Sequence, residues 1–147
     1  MEIREEKYTL DFAKETGEMI HDHIEEINWY SLPPCLDHIV YIRASNRGEL
    51  ALTVAREKGK VVGYLGFWII KSMMHDCWVG QQAGIFLKKE YRKGRTAIEM
   101  IKFAEGLLKE KYDVSAIHLA STVSKDLGPL FKYLKYKETE ITYIKEI

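Results

Sequence analysis

Cysteines and long apolar runs are scarce in this sequence, and each scarcity argues against a class of protein. Only two cysteines, Cys35 and Cys77, occur among 147 residues, and their separation fits neither a CxxC motif nor another metal-ligand spacing. We therefore expect reduced thiols and no metal site. No apolar run reaches the length of a membrane span, and the first ten residues lack the apolar segment of a signal peptide. The expected location is the cytoplasm, without a membrane partner.

Net charge is absent as well. Lys and Arg together number 22, as do Asp and Glu, so the formal net charge is zero. This balance argues against broad, charge-driven binding, and we expect no nucleic-acid partner. A hydrophobic fraction of 46%, a charged fraction of 30% and only three prolines are typical of an ordinary globular chain. We expect one domain, residues 1–147, with a single sizeable core.

Two common phosphate-binding motifs, GxGxxG and GxxxxGK[ST], are missing too. Instead, a basic turn that contains glycine, Lys88–Arg95, joins an apolar strand, Ala83–Leu87, to an amphipathic helix that continues through Leu108. The start of such a helix presents unpaired N–H groups and a positive dipole end, which favour a phosphate or pyrophosphate. The alternative is an ordinary solvated turn, because a run of charges alone is weak evidence for a ligand.

The hydrophobic pattern predicts an order of strands and helices along the whole chain. A first helix follows Asp11 as its N-cap, the segment Asn28–Leu36 is a loop or broken helix, and a short helix covers Lys125–Leu134. The segment Glu57–Lys60 is expected to be a hairpin turn. The predicted strands are Ile3–Leu10, Glu49–Arg56, Val61–Ile70, Trp78–Leu87, Ala116–Ser121 and Thr139–Ile147.

Within the first helix, the periodicity places His23 on the apolar face together with Phe12, Met19 and Ile20. The same residue also belongs to an acidic, histidine-bearing patch, for which we expect a solvated helix face. The patch consists of His21, Asp22, His23, Glu25 and Glu26.

The turn sequence YRKGRTA, Tyr91–Ala97, resembles the pyrophosphate loop of the GNAT superfamily of acyl-CoA-dependent N-acetyltransferases, whose pattern is Gln/Arg-x-x-Gly-x-Gly/Ala. Arg92 and Ala97 match its first and last positions, whereas Arg95 replaces the inner glycine and Gly94 comes one residue early. The later segment Ser124–Lys137 is similar to the family pattern Asn-x-x-Ala-x-x-Leu-Tyr-x-x-Leu-Gly-Phe. Its matching residues are Leu130, Leu134 and Tyr136.

The resemblance implies an α/β (α+β) single-domain GNAT fold. Its centre would be a mixed, mostly antiparallel sheet of six to seven strands flanked by about four helices. The implied activity is transfer of the acetyl group of acetyl-CoA to a primary amine of a small molecule or protein, by a monomer or homodimer. The sequence does not identify the amine.

The resemblance also implies site residues. Pantetheine would bind the main chain of Ile85 and Leu87. Gln81 stands where some members carry a glutamate base; it cannot accept a proton but can position a water. Glu49, His75 and Asp76 are alternative ionisable groups. The pyrophosphate would contact Arg92, Lys93, Gly94, Arg95, Thr96 and Ala97.

Two further residues of the resemblance fall in the late pattern. Phe131 stands where the family usually has the tyrosine that protonates the departing thiolate, and phenylalanine has no proton to give. Phe131 and Ser124, which is in the asparagine position, are both expected to contact the cofactor. The departing thiolate would be assisted by water, by Ser124 or by Ser121. Three departures from the family pattern, at Arg95, Gln81 and Phe131, favour a second hypothesis: a catalytically weak or inactive acyl-CoA-binding module with the same fold.

Overall fold

A five-stranded sheet in the order β1-β2-β3-β4-β5 forms the centre of the computed structural model, which describes residues 1–147. Strands β1 to β4 pair with one another in antiparallel fashion, and β5 runs parallel to β4. The elements are β1 (Glu2–Glu5), α1 (Leu10–Ile27), α2 (His38–Asn46), β2 (Leu50–Glu57), β3 (Lys60–Lys71), β4 (Trp78–Leu87), α3 (Thr96–Glu110), β5 (Val114–His118) and α4 (Gly128–Tyr133).

The predicted fold class, a mixed and mostly antiparallel sheet with four helices, is confirmed, whereas the predicted count of six to seven strands is wrong. The segment Thr139–Ile147 forms no strand, although its residues alternate as a strand would. Ile141 and Tyr143 are 71% and 88% exposed. Alternation alone does not make a strand, because a strand also needs a hydrogen-bonded neighbour and a buried face.

Helix boundaries differ from the sequence expectation for local reasons. The hydroxyl of Thr9, not the carboxylate of Asp11, caps α1, because it accepts a hydrogen bond from the N–H of Phe12 at 3.1 Å. Residues 28–37 form no helix, and α2 follows them. The carboxylate of Asp37 caps α2 by accepting from the N–H of Ile39 at 3.1 Å. The sequence analysis missed this second helix.

Two apolar layers cover the two faces of the sheet. On one face, Ile20 of α1 and Ala44 of α2 pack against β2, β3 and Phe86 of β4. On the other face, Leu108 of α3 and Phe131 of α4 pack against alternate residues of the same strands. Because β2 and β3 are buried on both sides, they form a rigid base for β4. None of the helices combines the length and apolar character that a membrane crossing requires.

Candidate functional site

Strands β4 and β5 separate halfway along β4. Their ladder pairs Trp78–Gln81 with residues from Val114 to His118 and ends there, whereas the pairing of β4 with β3 continues to Leu87. Beyond the ladder, the N–H of Ala120 donates to the side-chain oxygen of Gln82 at 2.9 Å. A side chain therefore crosses the space where the next backbone hydrogen bond would be. We name this space the β4–β5 gap.

The main chain of the second half of β4 faces the β4–β5 gap at alternate residues. The N–H of Lys88 donates to the carbonyl of Val62 in β3 at 2.9 Å. Because successive residues of a strand direct their backbone N–H and carbonyl groups to opposite sides, those of Leu87 and Ile85 point away from β3 and toward the gap. The carbonyl of Leu87 accordingly accepts from Nε of Arg92 at 2.6 Å. The N–H and carbonyl of Ile85 and the N–H of Leu87 have no strand opposite them.

A bulge in β4 redirects side chains next to the gap. Gly66 pairs with Gly84 while Phe67 pairs with Gln82, so Ala83 is the extra residue. As a result, Ala83 and Gly84 are both directed toward α1. The methyl group of Ala83 packs in the α1 layer, and a Cβ added to Gly84 would lie 3.2 Å from Cε1 of His23. The bulge leaves this part of β4 without a bulky side chain, and the His23 ring packs on the α1 side of Gly84.

After β4, a short 3-10 turn (Lys89–Tyr91) leads into α3 without a side-chain cap. The first hydrogen bond of the helix is donated by the N–H of Glu99 to the carbonyl of Arg95, and the N–H groups from Lys93 to Ile98 donate none. Unpaired N–H groups and the helix dipole favour an anion at this point. Four side-chain cations nearby form no ion pair: Lys88, Lys89, Lys93 and Arg95.

Gly94 and Arg92 behave differently within this turn. Gly94 is exposed, and a Cβ added there would meet no atom within 4 Å. Arg92 instead points inward: besides the carbonyl of Leu87, its Nη2 contacts both carboxylate oxygens of Glu26 at 3.1 Å, and its guanidinium lies 5.1 Å from the Phe86 ring centre. The guanidinium predicted to contact pyrophosphate is thus engaged within the protein, where it ties the turn to β4 and α1.

His23 and Glu26, predicted to belong to a solvated patch, face inward. Nδ1 of His23 lies 2.7 Å from the hydroxyl of Tyr64, and only 8% of the residue is exposed. Burial is the main reason that the pKa of His23 is lowered to about 4; the charge of Glu26 opposes this change, and the charge of Arg92 contributes to it. Burial also raises the pKa of Tyr64. His23 is therefore neutral near pH 7.

The remainder of the patch is solvated, as expected. His21, Asp22 and Glu25 are exposed, and potential ligand atoms of the three lie within 4.8 Å of one another. Carboxylates of α1 and nearby lysines line a groove of about 860 Å³ that reaches Phe86 at the end of β4. Its charges are of both signs: Glu15, Glu18, Asp22, Glu25, Glu26 and Glu90 against Lys60, Lys88 and Lys89.

Gln81 lies where β4 and β5 begin to separate. A Cβ at Gly80 would point to Leu108 of α3 at 3.1 Å, so Gln81 faces the opposite, α1 side. Its partner in β5 is His118, which is exposed. Because Ile117 and Leu119 pack against the layer of α3, His118 faces the same side as Gln81. The sequence analysis missed His118, although a single polar residue in an apolar strand is a visible signal.

The alternative ionisable groups lie elsewhere. His75 and Asp76 are exposed in the loop before β4, where the carboxylate of Asp76 pairs with Lys71 at 2.6 Å. Glu49 immediately precedes β2, and its carbonyl accepts from the N–H of Ile69. None of the three belongs to β4 or β5.

The two residues of the late pattern have different surroundings. Ser124, in the exposed loop after β5, places its hydroxyl 3.5 Å from the carbonyl of Glu26, so this loop meets the end of α1. Phe131 is 7% exposed and packs in the apolar layer of α3, with its ring centre 6.1 Å from that of Tyr136. Ser124 therefore lies beside the end of α1, and the Phe131 ring fills the core.

Comparisons with known proteins agree with this geometry. Residues 9–128 match the sequence model of the acetyltransferase (GNAT) family. No curated protein sequence matches the chain at a significant level.

Solved structures of acetyltransferases share the fold. The ribosomal-protein-alanine N-acetyltransferase from Brucella melitensis biovar Abortus 2308 is 14% identical, with a TM-score of 0.73 and complete coverage of both chains. A predicted acetyltransferase from Clostridium acetobutylicum, solved with acetyl-CoA, is 14% identical, with a TM-score of 0.75 over 99% of this chain and 95% of that one. An aminoglycoside acetyltransferase from an uncultured soil metagenomic sample, solved with sisomicin, is 13% identical, with a TM-score of 0.76 and the same coverage.

Proposed function

Because the chain belongs to the acetyltransferase (GNAT) family, we propose that it transfers the acetyl group of acetyl-CoA to a primary amine of a small molecule or protein. One observation carries this proposal: β4 loses its neighbour β5 after Gln81 and leads, through a short turn, into an uncapped helix with unpaired N–H groups. The strand offers main-chain partners to an extended amide chain, and the helix end offers an anion site. Acetyl-CoA contains both chemical features in one molecule.

The proposed cofactor contacts follow from these open groups. The N–H and carbonyl of Ile85 and the N–H of Leu87 bind the amides of pantetheine. The N–H groups of the turn bind the pyrophosphate, and the exposed side chains of Lys93 and Arg95 add charge-assisted hydrogen bonds. Gly94 fits this role, because the space beside its Cα is open on the solvent side. The N–H groups involved belong to Lys93, Gly94, Arg95, Thr96 and Ala97.

The proposed reaction takes place where β4 and β5 separate. The amine nitrogen forms a bond to the thioester carbon, the C–S bond breaks, and the nitrogen loses a proton while the thiolate gains one. Gln81, which faces the α1 side, orients the amine or a water that accepts its proton. His118, on the same side, receives the proton. Ser124 supplies a hydroxyl for the thiolate, since Phe131 has none.

Calorimetric titration with acetyl-CoA and with CoA tests the first step. We expect binding of both, and no binding of either at millimolar concentration would refute the proposal. A thiol-release assay over polyamines, amino acids and peptides then tests transfer and identifies the acceptor class. We propose that this activity belongs to one domain, residues 1–147, in a cytoplasmic monomer or homodimer without nucleic-acid or membrane partners.

A second candidate function is that of an acyl-CoA-binding module with little or no transfer. Two observations favour it: Gln81 carries no ionisable group, and the buried Phe131 offers no acid. This candidate predicts tight binding of acetyl-CoA together with thiol release at the uncatalysed rate for every acceptor. Turnover well above that rate on any one amine would exclude it.

A further inference from the structure

We propose that Glu26, in the last turn of α1, is a positioning residue for the pyrophosphate turn. This inference rests on the proposed function, because it concerns how the same acetyl-CoA site is held in shape. Glu26 lies outside the turn and is 66 residues away from Arg92 in sequence. Its role follows from what its carboxylate contacts.

The carboxylate of Glu26 fixes the direction of the Arg92 guanidinium. Both carboxylate oxygens lie 3.1 Å from Nη2, while Nε donates to the carbonyl of Leu87 at 2.6 Å. The side chains of Glu26 and Arg92 are only 18% and 31% exposed, so water competes weakly for these bonds. The planar guanidinium is thus held at two edges, one by α1 and one by the end of β4.

Arg92 directly precedes the residues whose N–H groups are unpaired. Within the turn, the N–H groups of Tyr91 and Arg92 donate only to the carbonyls of Lys88 and Lys89, so these bonds do not attach the turn to the rest of the protein. Tyr91 packs in the apolar layer of α3, and the Arg92 side chain attaches the turn to α1 and β4 through hydrogen bonds. Without Glu26, the guanidinium would keep only its hydrogen bond to the carbonyl of Leu87, so the exposed residues 93–95 between Arg92 and α3 would be held less firmly.

Positioning and simple electrostatics make opposite predictions for Glu26. A carboxylate near a pyrophosphate repels it, so charge alone predicts that removal of Glu26 strengthens CoA binding. Positioning predicts weaker binding, because ordering the released turn when the ligand binds costs conformational entropy. The sign of the change in affinity therefore decides between the two effects.

The test compares Glu26→Gln with Glu25→Gln by calorimetric titration of CoA and, separately, of pantetheine, which lacks the pyrophosphate. Glu25 is the matched control, because it is adjacent and exposed, and its only ion-pair partner is His21 at 3.7 Å. We expect Glu26→Gln to weaken CoA about tenfold, a typical loss for a hydrogen bond between charged groups. Pantetheine binding should be unchanged in both variants, and CoA binding should be unchanged in Glu25→Gln.

Arg92→Lys provides a second variant, since lysine keeps the charge but cannot hold two edges. It should weaken CoA binding to a similar extent and leave pantetheine binding unchanged. The double variant Glu26→Gln/Arg92→Lys should lose little more CoA affinity than either single variant. In an active enzyme, Glu26→Gln should raise the KM for acetyl-CoA and leave kcat unchanged.

Three results would overturn the inference. The first is stronger or unchanged CoA binding in Glu26→Gln, and the second is an equal loss of affinity for CoA and for pantetheine. The third is a loss of CoA affinity in the double variant that equals the sum of the losses in the two single variants. Failure of the proposed function itself is distinguishable, because the unmodified protein would then bind no CoA.

Discussion

Nδ1 of His23 and the hydroxyl of Tyr64 lie 2.7 Å apart on the α1 side of β4, and the His23 ring centre lies 5.2 Å from that of Phe86. Apolar rings and the sheet surround this hydrogen bond, and the nearest charges are those of Glu26 and Arg92. A proton added to His23 would place a cation in these surroundings. The pair therefore makes the stability of the fold depend on pH.

We expect the unfolding free energy to fall as the pH drops from about 6.5 to 4. The pKa of His23 is about 4 in the folded protein and 6.5 as its ordinary value, so the unfolded chain binds the proton first. The contribution is fully present above pH 6.5 and is lost progressively below it, by up to about 3 kcal/mol. Urea unfolding between pH 4 and 7.5 measures it. His23→Gln should reduce the slope relative to the exposed control His21→Gln, and equal slopes would contradict this assignment.

Gly94→Val should leave the fold intact and weaken CoA binding. The new side chain meets no protein atom near its Cβ, so the change in stability should stay within about 0.5 kcal/mol. It would, however, occupy the space through which a phosphate approaches the N–H groups, at a cost of about 1.5–3 kcal/mol in CoA binding. Gly106→Ala in α3, where a Cβ also meets nothing, is the control and should not alter affinity. Normal CoA affinity in Gly94→Val would show that the pyrophosphate binds elsewhere.

His118→Asn should reduce acetyl transfer and leave CoA affinity unchanged. His118 faces the side of Gln81 where β4 and β5 separate, and loss of a proton acceptor there lowers a rate about 10²–10⁴-fold. Steady-state kinetics on the amine found by the acceptor screen measure the effect. His75→Asn, in the exposed loop before β4, is the control. Equal rates for the two variants would show that His118 takes no proton.

Phe131→Tyr should destabilise the protein without accelerating transfer. The ring is 7% exposed in an apolar layer, and an added hydroxyl without a partner costs about 1–3 kcal/mol there. Thermal unfolding and turnover should be measured together, with Phe131→Leu as the control for lost packing. A higher turnover in Phe131→Tyr would mean that the new hydroxyl reaches the thiolate, and would return Phe131 to the site.

Local signals explain what the sequence predicted well. Strand β4 was predicted with its observed bounds, Trp78–Leu87, and the turn that opens α3 was recognised, because alternation, glycine and clustered cations lie within one short segment. The prediction of a strand at Thr139–Ile147 is wrong because strand formation depends on hydrogen bonds to a neighbouring strand that is distant in sequence. The contact between Glu26 and Arg92 has no local signal, since the fold alone brings these residues together.

The environment of His23 could not be predicted from the local sequence either. Its position in the helix predicts an apolar environment, whereas its neighbours in sequence predict a charged patch. The packing of α1 on Gly84 and Tyr64 decides between these two predictions. For such residues the tertiary contact, rather than the residue type, determines the protonation state.

The hydrogen bond from Ala120 to Gln82 has a consequence for how quickly the protein can accept a ligand. Two parallel strands tend to close along their length, because each further backbone bond favours the next. One glutamine side chain interrupts that closure and keeps the strands apart at a set width. An incoming extended molecule then has no interstrand ladder to break before it enters. For the proposed acetyl-CoA site, we therefore expect binding without the free-energy cost of separating paired strands, because the sheet is already open there.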